Sequence, residues 1–283
     1  MASRLTLSIL LFVLGAPLLV VATPSVVESP ELTVFHDAGL EPSVQQAVRI
    51  YTDAKQELQT LLQWPLKFRP TLVLMNDRQK FLQMAGHPLV VAYALPAENV
   101  MVIDHTQMKI APFNLRATIQ HELCHLMLHH SISAERLPRW LDEGVCQWAS
   151  DGLADIIMDS RRALLPSAIL SDRYFEFASL NHRFPQDKNG LILAYEQSKS
   201  MVEHMSRTYG TQGVLDLLAL LRQGATLESA VETRFGVSFD QLEAQWRDQQ
   251  KKNINWFTYL SIHLYEILFV SAALLTLLAY VRR

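Results

Sequence analysis

The chain has 283 residues, 49% of them hydrophobic, with 25 basic against 28 acidic side chains and a formal net charge of −3. That length supports one large core or two modest ones, and the near-balance of charge excludes the concentrated basic surplus of a nucleic-acid binder. Two cysteines, Cys124 and Cys146, are too few for a disulfide-framework scaffold.

In chain order, the first feature is the apolar run LTLSILLFVLGAPLLVV over residues 5–21, behind a single Arg4 and ahead of the small residue Ala22. It predicts a signal peptide over 1–22; the run is long for that role, so an uncleaved anchor is the alternative. Residues 23–31, TPSVVESPE, read as a linker rich in Pro and Ser. A short strand follows at 32–36. A helix opens at Ser43 behind Pro42, with Val44, Ala47, Val48, Tyr51, Ala54, Leu58, Leu61 and Leu62 at helical spacing, and ends at Trp64 and Pro65. Residues 69–75 predict a buried strand, 77–84 a short helix, and 89–95 and 99–104 two further strands. A long helix spans 112–129, and Pro138 starts another that runs to about Ser150. The stretch 151–189 reads as helical in pieces. Helices then follow at 191–209, 213–223 and 226–235, and a capped one starts from Val237.

The expectation is an α+β body over 32–250: a small mixed sheet, an active-site helix, then an all-helical half. Residues 260–281, LSIHLYEILFVSAALLTLLAYV, form a second apolar run that ends in Arg282 and Arg283. Its length matches the roughly 20 residues a transmembrane helix needs. With an exported N-terminus, the predicted arrangement is an extracytoplasmic body tethered by a C-terminal membrane helix, the tail arginines remaining in the cytoplasm.

The stretch that carries chemistry is HELCHLMLHH, residues 121–130. Positions four apart on a helix differ by about 40° around the axis, so His121 and His125 share a face and can share one ion. Glu122 is offset by about 100°, beside the ion's open side. Two imidazoles on zinc, with a glutamate that takes a proton from water, is the chemistry HExxH serves. A third ligand is required. The pattern of one large zinc-peptidase class, with Gly and then His further along the same segment, is excluded by Leu128 and Ser131. His129 lies a turn too far along the helix, because three ligands on successive turns would span about 12 Å; His129 and His130 read as surface or supporting residues. The better candidate is Glu143 in PRWLDEGVCQW, residues 138–148, after 17 intervening residues, with Asp142 as its rival.

HELCH followed by WLDEG resembles the gluzincin metallopeptidases, the group of thermolysin-like and aminopeptidase N-like enzymes, in which HExxH is followed by a glutamate within W-L-x-E-G. The resemblance implies His121, His125 and Glu143 as ligands of one zinc ion per chain and Glu122 as general base; the spacer is one residue shorter than that pattern. AYEQSKSMVEHM, residues 194–205, resembles the segment in which that family keeps an oxyanion-stabilising tyrosine, which implies that role for Tyr195; its alternative is a core tyrosine at a helix start. The helical tail resembles compact peptidase MA-like domains. The aminopeptidase G-x-M-E-N strand has only Ala97-Glu98-Asn99 here, so internal cleavage is at least as well supported as removal of N-terminal residues. The strand at 99–104 is expected to pair with an extended substrate. Cys124 and Cys146 read as buried packing between the two ligand helices; a bridge clamping the site is the alternative in an oxidising compartment. The reading is a membrane-tethered zinc metallopeptidase acting on peptides or proteins. A non-catalytic scaffold and zinc-dependent hydrolysis of another bond are the alternatives.

Overall fold

The computed structural model describes residues 25–110, 113–150, 164–254 and 263–281. The expected signal segment at 1–22 lies outside the described residues, as does 151–163 within the irregular stretch. Five strands form one sheet: β1 (Ser25–Glu28), β2 (Thr33–His36), β3 (Thr71–Met75), β4 (Ala92–Leu95) and β5 (Val100–Asp104), in the order β1-β2-β3-β5-β4. The central strands β2, β3 and β5 run parallel, and β1 and β4 close the two edges antiparallel. The expected small mixed sheet is therefore present.

The β2–β3 crossover is α1 (Glu41–Leu62), whose Val44, Ala47, Tyr51, Ala54, Leu58 and Leu62 form one buried stripe. The next helix, α2 (Arg78–Ala85), is capped by Asp77, whose side chain accepts from Gln79 N and Lys80 N, and is stopped by Gly86 at φ 70°. Helix α3 (Leu115–Ser131) starts at Asn114, whose side chain accepts from Ala117 N. It is buried on nearly every side from Leu115 to Leu128. A helix buried on nearly every side is a core element, so the HELCH segment lies inside the body rather than on a surface.

Helix α4 (Arg139–Ala149) packs between α3 and α6 (Lys188–Tyr209), followed by α7 (Thr211–Arg222), α8 (Leu227–Phe235) and α9 (Phe239–Asn253). The irregular stretch contributes the short α5 (Leu165–Leu170) and a 3₁₀ turn at Phe177–Leu180. An aromatic cluster joins the start of α4 to the end of the body: Trp140 lies 4.9 Å from Phe177 and 5.7 Å from Phe239, and Phe177 lies 5.1 Å from Trp246.

Three expectations need correction, and a fourth is unconfirmed. The supposed linker at 23–31 contains β1, paired to β2 from Ser25 opposite His36 to Glu28 opposite Thr33; its prolines flank an edge strand, where a missing N–H is tolerated. The strand at 89–95 shortens to Ala92–Leu95, because Leu89 and Val90 belong to a turn whose carbonyls at Pro88 and Val90 accept from the Arg78 guanidinium. The strand at 99–104 is no free edge: β5 is paired on both sides, and the edge is β4. Among the described residues no helix is long and apolar enough to cross a membrane. The C-terminal helix α10 (Leu264–Val281) has 18 residues, about 27 Å against a hydrocarbon core of about 30 Å; residues 255–262, where the expected span began, lie outside the described residues.

The α4–α6 contact depends on a glycine. A Cβ on Gly144 would stand 2.5 Å from Ser198 O and 2.9 Å from Val202 Cγ2, so the helices touch backbone to backbone. Gly144→Ala is expected to cost about 1–3 kcal/mol of stability through overpacking, read as a lower denaturant midpoint. An unchanged midpoint would mean the helices are not packed this closely.

Candidate metal centre

Helix α3 presents His121 and His125 one turn apart, and α4 brings Glu143 against them. His125 Nε2 lies 3.0 Å from His121 Nε2, and Glu143 Oε2 lies 3.7 Å from His121 Nε2 and 3.5 Å from His125 Nε2. Among the described residues these three form a group able to hold a metal ion. Tetrahedral zinc, at about 2.0–2.1 Å from such donors, spaces them roughly 3.3–3.4 Å apart, and the three separations bracket that figure. Glu143 Oε2 is buried without a hydrogen-bond partner, an expensive position unless a cation completes it. The residues present therefore fit zinc.

Asp142 was the rival ligand. Its Oδ1 accepts from His125 Nδ1 at 2.8 Å, and its Oδ2 accepts from His129 Nε2 at 2.9 Å. A proton on Nδ1 leaves the Nε2 lone pair of His125 turned toward the cluster, the usual carboxylate support of a metal-binding histidine. Asp142 thus meets the Nδ1 side of His125 rather than the ligand group, and His129 meets it from the next turn of α3. His130 turns away and meets Phe68 at 4.7 Å. His125, Asp142 and Cys146 also lie close together, but Cys146 is bonded to Cys124, with Cα atoms 5.4 Å apart. The bridging alternative, rather than simple packing of two thiols, is what the structure holds. It joins the α3 turn of His125 to the α4 turn beyond Glu143.

Burial governs the titration of these groups. It raises the Glu122 carboxyl, partly offset by His121 and His125. Burial also opposes ionisation of Asp142 and Glu143, but the histidines outweigh it and hold both below the usual carboxylate range. Burial disfavours a proton on His125, yet Asp142 and then Glu143 raise it well above the usual value. Tyr195 is pushed well up by burial and by Glu143, so its hydroxyl keeps its proton; it donates to Glu143 Oε1 at 3.2 Å.

A cavity of about 450 Å³ opens over the cluster, lined by Glu122, His125, Glu143 and Tyr195 and walled by β4 through Ala92 to Ala94. Glu122 is 2% exposed and borders it. All five residues singled out from the sequence therefore gather at one place. Glu98 does not: it is exposed on the Pro96–Glu98 turn and is not among the residues lining the cavity. Sequence reasoning missed Arg139, whose Nη2 lies 3.7 Å from Glu143 Oε1. The signal was available, since positions 139 and 143 share a helix face.

A family model described as the Peptidase MA superfamily matches residues 85–252. Among solved structures, native yeast LTA4 hydrolase is 12% identical, with a TM-score of 0.51 over 80% of this chain and 38% of that one. Yeast LTA4 hydrolase in complex with bestatin is 13% identical, with a TM-score of 0.46 over 84% of this chain and 39% of that one. A variant M1 zinc metallopeptidase from Deinococcus radiodurans is 15% identical, with a TM-score of 0.41 over 79% of this chain and 51% of that one. At such identities the likeness is one of fold, and the chain spans well under two thirds of these proteins. A search of curated proteins finds no match.

Asp142→Asn removes the charge that supports His125 and keeps the shape. Zinc affinity is expected to fall about 10- to 100-fold, measured by competition with a chelating dye. An affinity equal to the parent's would exclude a supporting role for Asp142.

Proposed function

The chain belongs to the Peptidase MA superfamily, in line with the resemblance carried by HELCH and WLDEG, and on that premise we propose that it is a zinc metallopeptidase hydrolysing peptide bonds. The observation that carries the reading is the convergence of His121, His125 and Glu143, with the buried Glu122 beside them, on a cavity bordered by a sheet edge. Held by those three residues, zinc would polarise the scissile carbonyl and acidify a water molecule. Glu122 takes the proton of that water and passes it to the leaving amine. Its raised affinity for a proton suits both halves of that transfer. Tyr195, kept protonated, donates to the developing oxyanion. Asp142 keeps His125 in the tautomer that offers Nε2. The extended substrate pairs with β4, the edge strand on the cavity wall, in place of the interior β5. The complete donor set beside a ready base favours catalysis over a bare scaffold.

We also infer a membrane tether, with the body outside the cytoplasm and the short tail within it. Two observations support this. Helix α10 leaves Leu268, Phe269, Leu275 and Leu278 more than half exposed, a composition suited to lipid. The Cys124–Cys146 bond suits an oxidising compartment.

Elemental analysis and peptide hydrolysis test the catalytic reading together. The parent is expected to hold about one zinc per chain and to cleave peptides. Glu143→Ala should lose most of the metal. Glu122→Gln should keep it and lose turnover by 100-fold or more, in keeping with general-base roles of about 10²–10⁴. A zinc-loaded Glu122→Gln protein that still cleaves at the parent rate would end this reading. For the tether, deletion of residues 264–283 is expected to move the protein from washed membranes to the soluble fraction; a soluble full chain would rule the tether out.

A further inference from the structure

The charges around the cavity are unevenly placed. Among the described residues that line it, the carboxylates are Glu122, Asp142 and Glu143. Asp142 is engaged by two histidines, Glu143 belongs to the ligand group, and Glu122 lies beside it. None of these is left to receive the amino group of a substrate. Among the described lining residues the fixed cation is Arg139. Resting on the peptidase reading above, we propose that Arg139 is a specificity-determining residue that binds a carboxylate of the substrate close to the scissile bond.

Arg139 is held in a form suited to that task. Its position four residues before Glu143 puts both on one face of α4. Its guanidinium lies over the Phe184 ring, 4.9 Å from the centroid, and Phe184 in turn meets Tyr195 edge-on at 5.2 Å. Stacking orients the plane, and although Tyr195 shares this guanidinium, its planar fork suits a two-point contact with a carboxylate. The side chain is 42% exposed, and the residue lines the cavity. Its nearest carboxylate, Glu143 Oε1 at 3.7 Å, is beyond hydrogen-bond distance, and a cation at the ligand group competes for that same carboxylate. Asn181 fixes the base of Arg139, accepting from its backbone N–H at 2.8 Å. Asn181 also lines the cavity beside Arg139.

Distance sets where the substrate carboxylate lies. From the guanidinium to the metal position is the 3.7 Å contact plus one carboxylate width and one metal–ligand bond, about 8 Å or less. An extended chain advances about 3.3–3.6 Å per residue, so the carboxylate falls within about two residues of the bond that is cut. It belongs either to an acidic side chain or to the chain's own C-terminus. Lysine would not replace arginine fully, because a point charge lacks the planar fork.

Paired peptides decide the matter. Each has a blocked N-terminus; one series carries Glu or Gln at the two positions on either side of the cleaved bond, and another ends in a free acid or an amide. Binding is measured on the zinc-supplied full chain with Glu122→Gln, and kcat/KM on the parent. At least one carboxylate peptide is expected to exceed its neutral partner by about tenfold in both. Arg139→Ala should bring that ratio close to one, and Arg139→Lys should restore part of it. The pair that responds identifies the source: a Glu/Gln pair points to cleavage beside an acidic residue, an acid/amide pair to removal of C-terminal residues. Equal binding and equal kcat/KM for every pair, or a preference that survives Arg139→Ala, would overturn the proposal. Should Arg139→Ala fail to fold, Arg139→Gln takes its place. A chain that holds zinc and cleaves all peptides alike refutes Arg139 and leaves the peptidase reading standing. A chain that cleaves none counts against the peptidase reading, while the binding ratio still decides Arg139.

Discussion

Glu143 is held in position by contacts on both flanks of α4. One residue later, Gly144 lets α4 sit against the backbone of α6 at Ser198. One turn later, Cys146 is bonded to Cys124 of α3. The ligand group is divided between α3 and α4, so its geometry is the geometry of that helix pair. The same close approach to α6 brings Tyr195 within hydrogen-bond distance of Glu143. A covalent tie on one side and a backbone contact on the other leave α4 little room to slide. A metal site needs this, because donor atoms displaced by a fraction of an ångström no longer share an ion.

This arrangement has an electrostatic cost. Glu122, Asp142 and Glu143 are all buried, and each buried ion forfeits several kcal/mol of hydration unless its partners replace it. Asp142 has its replacement in two histidine N–H groups. Glu143 has Tyr195 at one oxygen and no partner at the other. His121 likewise leaves Nδ1 unpartnered in the interior. Unsatisfied buried groups of this kind cost about 1–3 kcal/mol each, and they concentrate where function asks for them. The aromatic cluster of Phe177 and Trp246 packs on α4 through Trp140. It supplies apolar burial that offsets the strain of a charged interior.

Most of the fold was legible from periodicity. The stripe of α1, the capped start of the last body helix and the helix run from α6 to α9 follow local rules that the sequence obeys. What was not legible depended on neighbours. β1 reads as linker because a four-residue edge strand between prolines has no periodic signal of its own; only pairing with β2 makes it a strand. The order β3-β5-β4, which buries β5, is a property of topology rather than of any one segment. At the site, helical spacing pointed to His121 and His125, and the WLDEG pattern to Glu143. The division of labour between Asp142 and Glu143 was not legible: adjacent residues differ by about 100° around the helix, and only the position of α3 decides which carboxylate meets Nε2 and which meets Nδ1. The disulfide was open for the same reason, since it depends on a Cα separation of 5.4 Å between two helices.

Seen along α4, Arg139, Asp142, Glu143 and Cys146 recur at intervals of three and four, the spacing of one helix face. That face presents four different groups to α3 and the cavity: the Arg139 cation, the Asp142 carboxylate bonded to His125, the Glu143 carboxylate of the candidate ligand group, and the disulfide that holds the face in place. Because they share one face within two turns, they are coupled. Arg139 and Tyr195 both address Glu143 Oε1, while the ligand group takes Oε2. Moving either oxygen changes the other's partners. Residues joined in this way show interaction energies of about 0.5–3 kcal/mol in double-mutant cycles, whereas distant residues add. On the proposed reading, Arg139 and the candidate ligand group therefore address the two oxygens of one carboxylate. The spacing that turns Glu143 toward α3 also turns Arg139 that way, so on that reading ligation and specificity share one helix face.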